Sequence, residues 1–386
     1  MIRPRSEARR KAVHLSSLAS LATQFILLGA ALATVDPCSA SVKKNGSAAN
    51  SGDKVSAVIR AGPFEDSSNK KNYISPPLSG EYAYHAILAA SAEGNSIEQT
   101  QKTPNDAACI LSTYSACDYP NSTNTGVPSG ISLTKLTTND DCLVVSVDNT
   151  IIDGMHITGC IDVEANNVTI QNSHVTATAQ IWWAIKYGSS KPNVTGLRIL
   201  HVKIDSIPGK GPAAEGGYAY GISSQGTGSL EVGYSDISGF KDGINIAHGL
   251  VHNNWIHDLS KYTGAHTQGI YLWKAPAGAT LVIKHNTITD LVQNSTAAIF
   301  MKEGLGIHDV TIEDNWLAGG SFTLYGGGAD AKNIRVFNNK FSTEIAPKGG
   351  QFGAISYWST KNSGNSWSGN IWANGPKAGR TVTPAY

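Results

Sequence analysis

His266 and Gln268 stand directly before a short apolar run, Gly269-Ile-Tyr-Leu-Trp273, in the stretch HTQGIYLW. An imidazole can take up or release a proton near neutral pH, whereas an amide only donates and accepts hydrogen bonds. Similar groupings recur: Asp242 precedes Gly243-Ile-Asn-Ile, and Lys302-Glu303 follow Ala298-Ile-Phe-Met. Two chemistries suit such a set. Removing a proton next to a carboxylate needs a base and a positive charge to stabilise what develops, roles open to Lys302, His266 and Lys186, or to Ca²⁺ held by carboxylates. Hydrolysis of a glycosidic bond needs two carboxyl groups, and Asp242 with Glu303 is the pair available. Asp242 before a glycine and Glu303 before Gly304 suit turns equally well, and His248, His252, His257, His285 and His308 read as structural hydrogen-bonding residues.

These residues can meet only if short strands stack, and the sequence repeats such a unit. Val168-Thr-Ile-Gln-Asn-Ser-His-Val175, Leu230-Glu-Val-Gly-Tyr-Ser-Asp-Ile237, Leu281-Val-Ile-Lys-His-Asn-Thr-Ile288 and Val310-Thr-Ile-Glu-Asp-Asn-Trp-Leu317 each alternate apolar and polar residues, bend at a small polar pair, and resume. The closing apolar residues Val175, Ile204, Ile237, Ile256, Ile288, Leu317 and Phe341 lie 29, 33, 19, 32, 29 and 24 residues apart, a spacing that predicts a solenoid with loops of unequal length. Between units comes a second strand of the form small residue, Ile or Leu, variable, apolar. It places Ile185, Ile222, Ile244, Ile270, Ile299, Leu324 and Ile355 in an expected internal ladder. Asn172, Ser235, Asn254, Asn286, Asn315 and Asn339 are expected at the bends, bonding their equivalents one coil away and tolerating left-handed backbone.

With these units, the segment Asn124-Thr-Gly-Val-Pro-Ser-Gly-Ile-Ser-Leu133 and the following Thr150-Ile-Ile-Asp-Gly154, the chain resembles secreted bacterial right-handed parallel β-helix proteins of the pectate-lyase-like superfamily, over roughly residues 118 to 375. The resemblance implies an all-β, right-handed parallel β-helix and an extracellular polysaccharide as partner. It does not extend to catalytic motifs: the arginine base and aspartate cluster of pectate lyases and the aspartate pairs of polygalacturonases have no counterpart, and Gln268 stands where related proteins often carry an Asp.

The second-strand face predicted to point outward is rich in aromatic and hydrogen-bonding groups: Trp182 or Trp183, Lys186, Tyr220, Asp242, Asn245, His266, Gln268, Tyr271, Trp273, Lys302, Glu303, Tyr325, Tyr357 and Trp358. Sugar rings offer apolar faces and hydroxyl edges, so this lining suits a glycan groove. The reading is a polysaccharide lyase acting by β-elimination on a uronate-containing glycan, with Lys302, Asp242, His266 and Glu303 as catalytic candidates. Trp183, Lys186, Tyr220, Asn245, Gln268, Tyr271, Trp273 and Tyr325 are the expected substrate contacts. A glycoside hydrolase and a non-catalytic carbohydrate-binding or surface protein are the alternatives. No cofactor is required by this reading, Ca²⁺ remaining open, and a monomer is expected.

The formal net charge of +1, with only 15% charged residues, gives no electrostatic reason to expect nucleic acid or an anionic membrane surface as a partner. Arg3, Arg5, Arg9, Arg10 and Lys11 followed by the apolar run Leu18 to Val35 read as a secretory signal over residues 1–40, after which no membrane association is expected. Residues 41–105 are rich in Ser, Asn, Gly and Lys and read as a linker or N-terminal extension with at most a short helix near residues 82–92, ahead of a β-helix domain over 106–386. Export lets thiols pair, and the expected disulfides are Cys109 with Cys117 and Cys142 with Cys160, with Cys38 left over or removed.

Overall fold

The computed structural model describes residues 59–61, 113–178, 180–293 and 295–384. The expected signal segment, the helix expected near residues 82–92, Cys38 and Cys109 lie outside the described residues.

The alternating apolar pattern produces stacked coils of three short parallel strands each, a right-handed parallel β-helix. One coil shows the plan: Leu197–Leu200 in the first sheet, Lys203–Ser206 in the second, Tyr220–Ser224 in the third. The third sheet continues through Trp183–Tyr187, Asp242–Asn245, Gln268–Leu272, Ala297–Met301, Phe322–Gly326 and Gly353–Ser356. Its register aligns Ile185, Ile222, Ile244, Ile270, Ile299, Leu324 and Ile355 on adjacent strands, as the repeat predicts, and Ile161 precedes them. The second sheet aligns Val175, Ile204, Ile237, Ile256, Ile288, Leu317 and Phe341 in the same way. These ladders form one continuous buried core, because no coil can bury its inner face without its neighbours.

The small residue of the second-strand motif has a packing cause. A Cβ added at Gly243 would lie 2.6 Å from both Gly269 O and Ile256 Cγ2, so glycine lets the third sheet approach the second.

At the bend between the first and second sheets, two adjacent positions divide the work expected of one. Asn172, His201, Tyr234, Asn253, His285, Asp314 and Asn338 take positive φ. The next residue points inward: Asn254, Asn286, Asn315, Asn339 and Asn370 are fully buried, and each side-chain amide of the first four donates to the next Oδ1 at 2.9 Å. Ser235 caps this ladder through its main-chain N, which donates to Asn254 Oδ1. Asn172 is therefore corrected to the outer, left-handed position, where it donates to Asp153 Oδ1; Ser173 takes the inner one.

Outside the coils, residues 113–133 form a strap. Tyr119 packs on Trp316 and His285, with ring centroids 5.6 and 5.0 Å apart, and donates to Asp314 Oδ1 at 2.7 Å. Farther along, Gly126 N donates to Tyr234 O, so the strap descends across successive coils before Thr134–Val145 enters the first of them. Ile59–Ala61, within the stretch read as a linker, pairs antiparallel with Thr150–Ile152. Cys142 and Cys160 are register partners with Cα atoms 4.5 Å apart and form the expected disulfide. Cys117 is buried beside Tyr119 and Trp316. Among the described residues no helix is long and apolar enough to cross a membrane.

Candidate functional site

The outer face of the third sheet carries two rows of side chains. The first, at the strand starts, runs Trp183, Tyr220, Asp242, Gln268, Ala297. The second, three residues along, runs Asp162, Lys186, Ser223, Asn245, Tyr271, Phe300, Tyr325, Ser356. Over the first row, the loop joining Trp255–His257 to Gln268–Leu272 folds back to make a cleft of about 380 Å³. Lys241, Tyr262, His266, Gln268, Tyr271 and Phe300 line it, with the main chain around Thr263–Ala265.

Asp242 lies beneath this lining, with no exposed surface. Its Oδ2 is 2.7 Å from Lys241 Nζ, and that ammonium also sits 5.4 Å from the centre of the Tyr220 ring. Gln268 meets Asp242 Oδ1; with its amide turned so that Nε2 faces the carboxylate, it also donates to His266 O at 3.2 Å and accepts from Thr296 Oγ1 at 2.8 Å. One buried carboxylate thus orders a cation, an amide and the main chain of the histidine. Burial pushes the Asp242 carboxyl up from 3.8 to about 7, against the pull of Lys241 and helped by the charge of Asp290. Asp290 is raised to about 6, again by burial first, and its two oxygens share the Thr267 hydroxyl proton, with Oγ1 at 3.0 and 2.9 Å, which anchors the cleft loop. The phenols of Tyr220, Tyr262 and Tyr271 are all raised above 10.0, chiefly by burial and next by Asp242, so they remain hydrogen-bond donors at neutral pH.

From the cleft an aromatic row runs toward the C-terminal coils. Tyr271 stacks on Phe300 at 5.3 Å, Phe300 meets Tyr325 edge-on at 5.2 Å, and Tyr325 stacks on Tyr357 at 5.6 Å. In the opposite direction the second row turns polar: Lys186 pairs with Asp162 at 2.9 Å and lies 4.5 Å over Trp183, while Asn245 is buried.

The residues singled out in the sequence are therefore divided. Asp242, His266, Gln268, Tyr220 and Tyr271 come together at the cleft, and Lys186, Trp183, Asn245 and Tyr325 lie on the same sheet face along the coils. Lys302 and Glu303 do not join them. They are exposed and follow Met301, where the strand ends; Lys302, five residues beyond Ala297, lies about 16 Å along the strand direction from the Asp242 row, while the charge of Glu303 is felt by the phenols of Tyr271 and Tyr325. Neither Lys302 nor Glu303 is part of the cleft lining. Trp273 also lies past the strand ends, with Lys274 Nζ 4.8 Å over its ring. Among the described residues no group of three His, Cys, Asp or Glu side chains is placed to hold a metal ion.

Three cleft residues escaped the sequence reading. Lys241 precedes the repeat motif rather than belonging to it, and Tyr262 sits on a loop without periodicity. Phe300 occupies the same motif position as Tyr271, and that equivalence was legible.

No family model and no curated protein matches this chain. A solved structure similar to it is the crystal structure of Dettilon tailspike protein, 14% identical, with a TM-score of 0.36 over 60% of this chain and 48% of that one. The chain spans about half the length of that protein.

Proposed function

We propose that this protein is secreted, binds an extended acidic polysaccharide along the outer face of the third sheet, and cleaves it by β-elimination in the cleft above Asp242. The observation that carries this reading is the composition of the cleft lining: a lysine, an imidazole and phenols, with no carboxylate among the described residues. Hydrolysis would need two carboxyl groups flanking the bond, and the single carboxylate at the cleft is sealed below it.

In the proposed reaction, Lys241 faces the uronate carboxylate and stabilises the charge that spreads onto it. His266 takes the proton from the carbon next to that carboxylate. The electrons of that C–H bond form a carbon–carbon double bond, and the glycosidic oxygen leaves from the adjacent carbon. A phenol, Tyr271 or Tyr262, returns a proton to the departing oxygen. Asp242 positions Lys241 and Gln268 and does not itself contact substrate. The Cys142–Cys160 disulfide supports an oxidising compartment.

Incubation with polygalacturonate, alginate and hyaluronan, following the absorbance of unsaturated products alongside new reducing ends, tests the reading. Unsaturated products that fall about a hundredfold or more in Lys241→Ala and His266→Ala are expected. Reducing ends without unsaturation would replace elimination by hydrolysis. The binding-only reading draws on a separate observation: the aromatic row ends at Tyr357, 53% exposed, with Phe352 at 59% close by, a surface suited to holding a glycan without chemistry. Binding with no new ends of either kind would establish it.

A further inference from the structure

Tyr262 is the wall of a second cleft as well as the first. The loop joining Lys203–Ser206 to Tyr220–Ser224 rises beside the loop that carries Tyr262, and between them lies a space of about 410 Å³. The two loops are tied together: the Glu215 carboxylate accepts from Thr263 N at 2.9 Å and from Thr263 Oγ1 at 2.6 Å. Trp182, 42% exposed, stands 6.5 Å from the Tyr262 ring. The two clefts thus lie on either side of the Tyr262 ring, which both share as a wall.

Their charges differ. Lys241 and His266 line the first, with no carboxylate. Glu215 and Asp258 line the second, with Lys261 as its one basic residue. Lys261 Nζ already donates to Gln293 O at 3.2 Å, and the hydrogen bonds from Thr263 lower the Glu215 pKa, which keeps that carboxylate charged. Asp258 accepts from His257 Nδ1 at 2.7 Å yet remains 68% exposed. A uronate placed in the second cleft would face two carboxylates, whereas an uncharged sugar would meet only hydrogen-bonding groups.

We propose that the second cleft is a subsite for an uncharged sugar residue, so that the glycan this protein takes is a heteropolymer in which a uronate over Lys241 is followed, across Tyr262, by a neutral residue. The proposal rests on the glycan reading above and adds the order of residues along the chain. Exposed like charges about 4 Å apart disfavour binding severalfold each in water, so two of them, partly offset by Lys261, correspond to about tenfold discrimination.

The test is equilibrium binding by the full-length protein to size-matched oligosaccharides of two classes. Homouronates are represented by oligogalacturonate and oligomannuronate, alternating uronate–N-acetylhexosamine chains by hyaluronan and chondroitin fragments. The alternating class is expected to bind about tenfold tighter. The double variant Glu215→Gln/Asp258→Asn should bring the two classes within about threefold, and Lys261→Glu should widen the gap; unaltered thermal unfolding would show that both variants fold. Equal or tighter binding of homouronates, or a ratio that neither variant moves, overturns the subsite while leaving the glycan reading standing. Failure of all four probes to bind overturns both.

Discussion

Asp242 is a carboxylate with no exposed surface, held up to about 7 by burial, against an ordinary value of 3.8. Between about pH 4 and 7 the folded protein keeps a proton that the unfolded chain has released, so this residue makes stability fall as pH rises through that window and level off above it. Asp290, raised to about 6, acts in the same sense over a narrower range. Asp242→Asn should therefore unfold at a higher temperature than the parent at pH 8 and match it near pH 4, a gap of about 2–4 °C for each kcal/mol recovered. Thermal scans at the two pH values check this. Ionisation of Asp242 also offsets the charge of Lys241, so affinity for an acidic glycan should weaken more steeply as pH rises through about 7 in the parent than in Asp242→Asn, measured by titration across that range. Lys302→Ala, about 16 Å along the strand from the Asp242 row, should leave turnover within about twofold, read from the rate of unsaturated-product formation.

Among the elements, the asparagine ladder is costly to interrupt. Asn286 Nδ2 donates to Asn315 Oδ1, Val251 O and Lys284 O, and its Oδ1 accepts from Asn254 N and Nδ2, all at about 3 Å in a site without water access. Asn286→Ala would orphan several of these at once and should cost about 3 kcal/mol or more, measured by denaturant unfolding. Gly243→Ala carries a different penalty. The added methyl meets main chain and Ile256, and overpacking of this kind costs about 1–3 kcal/mol in the same measurement. The recurrence of asparagine at the bend was legible in the sequence. Its split into a left-handed position and an inward one was not, because two adjacent small polar residues look alike until the turn assigns each a direction.

At the scale of the whole molecule, a stack of coils has no single centre, and its ends and seams need fastening. The Cys142–Cys160 bridge fastens the first coil to the second across a separation of 18 residues. Its reduction should cost about 3 kcal/mol by the chain-entropy relation, visible as a lower unfolding midpoint with reductant present. The strap does the same along the outside, with Tyr119 reaching Trp316 and His285 on neighbouring coils.

What the sequence by itself determined is the solenoid. A ladder such as Ile244, Ile270 and Ile299 depends only on which residues are apolar and on a period, and both are written in the chain. It also marked which strand carries the candidate site, since Asp242, His266, Gln268 and Tyr271 stand out against that period. Tertiary structure decided which of these residues meet. A strand has two ends, so Lys302 could adjoin the same motif as Gln268 and still lie at the far edge of the sheet. Lys241 and Tyr262 became cleft residues through the path of unequal loops, which burial and the anchors at Asp242, Asp290 and Glu215 fix in space and which no periodicity encodes.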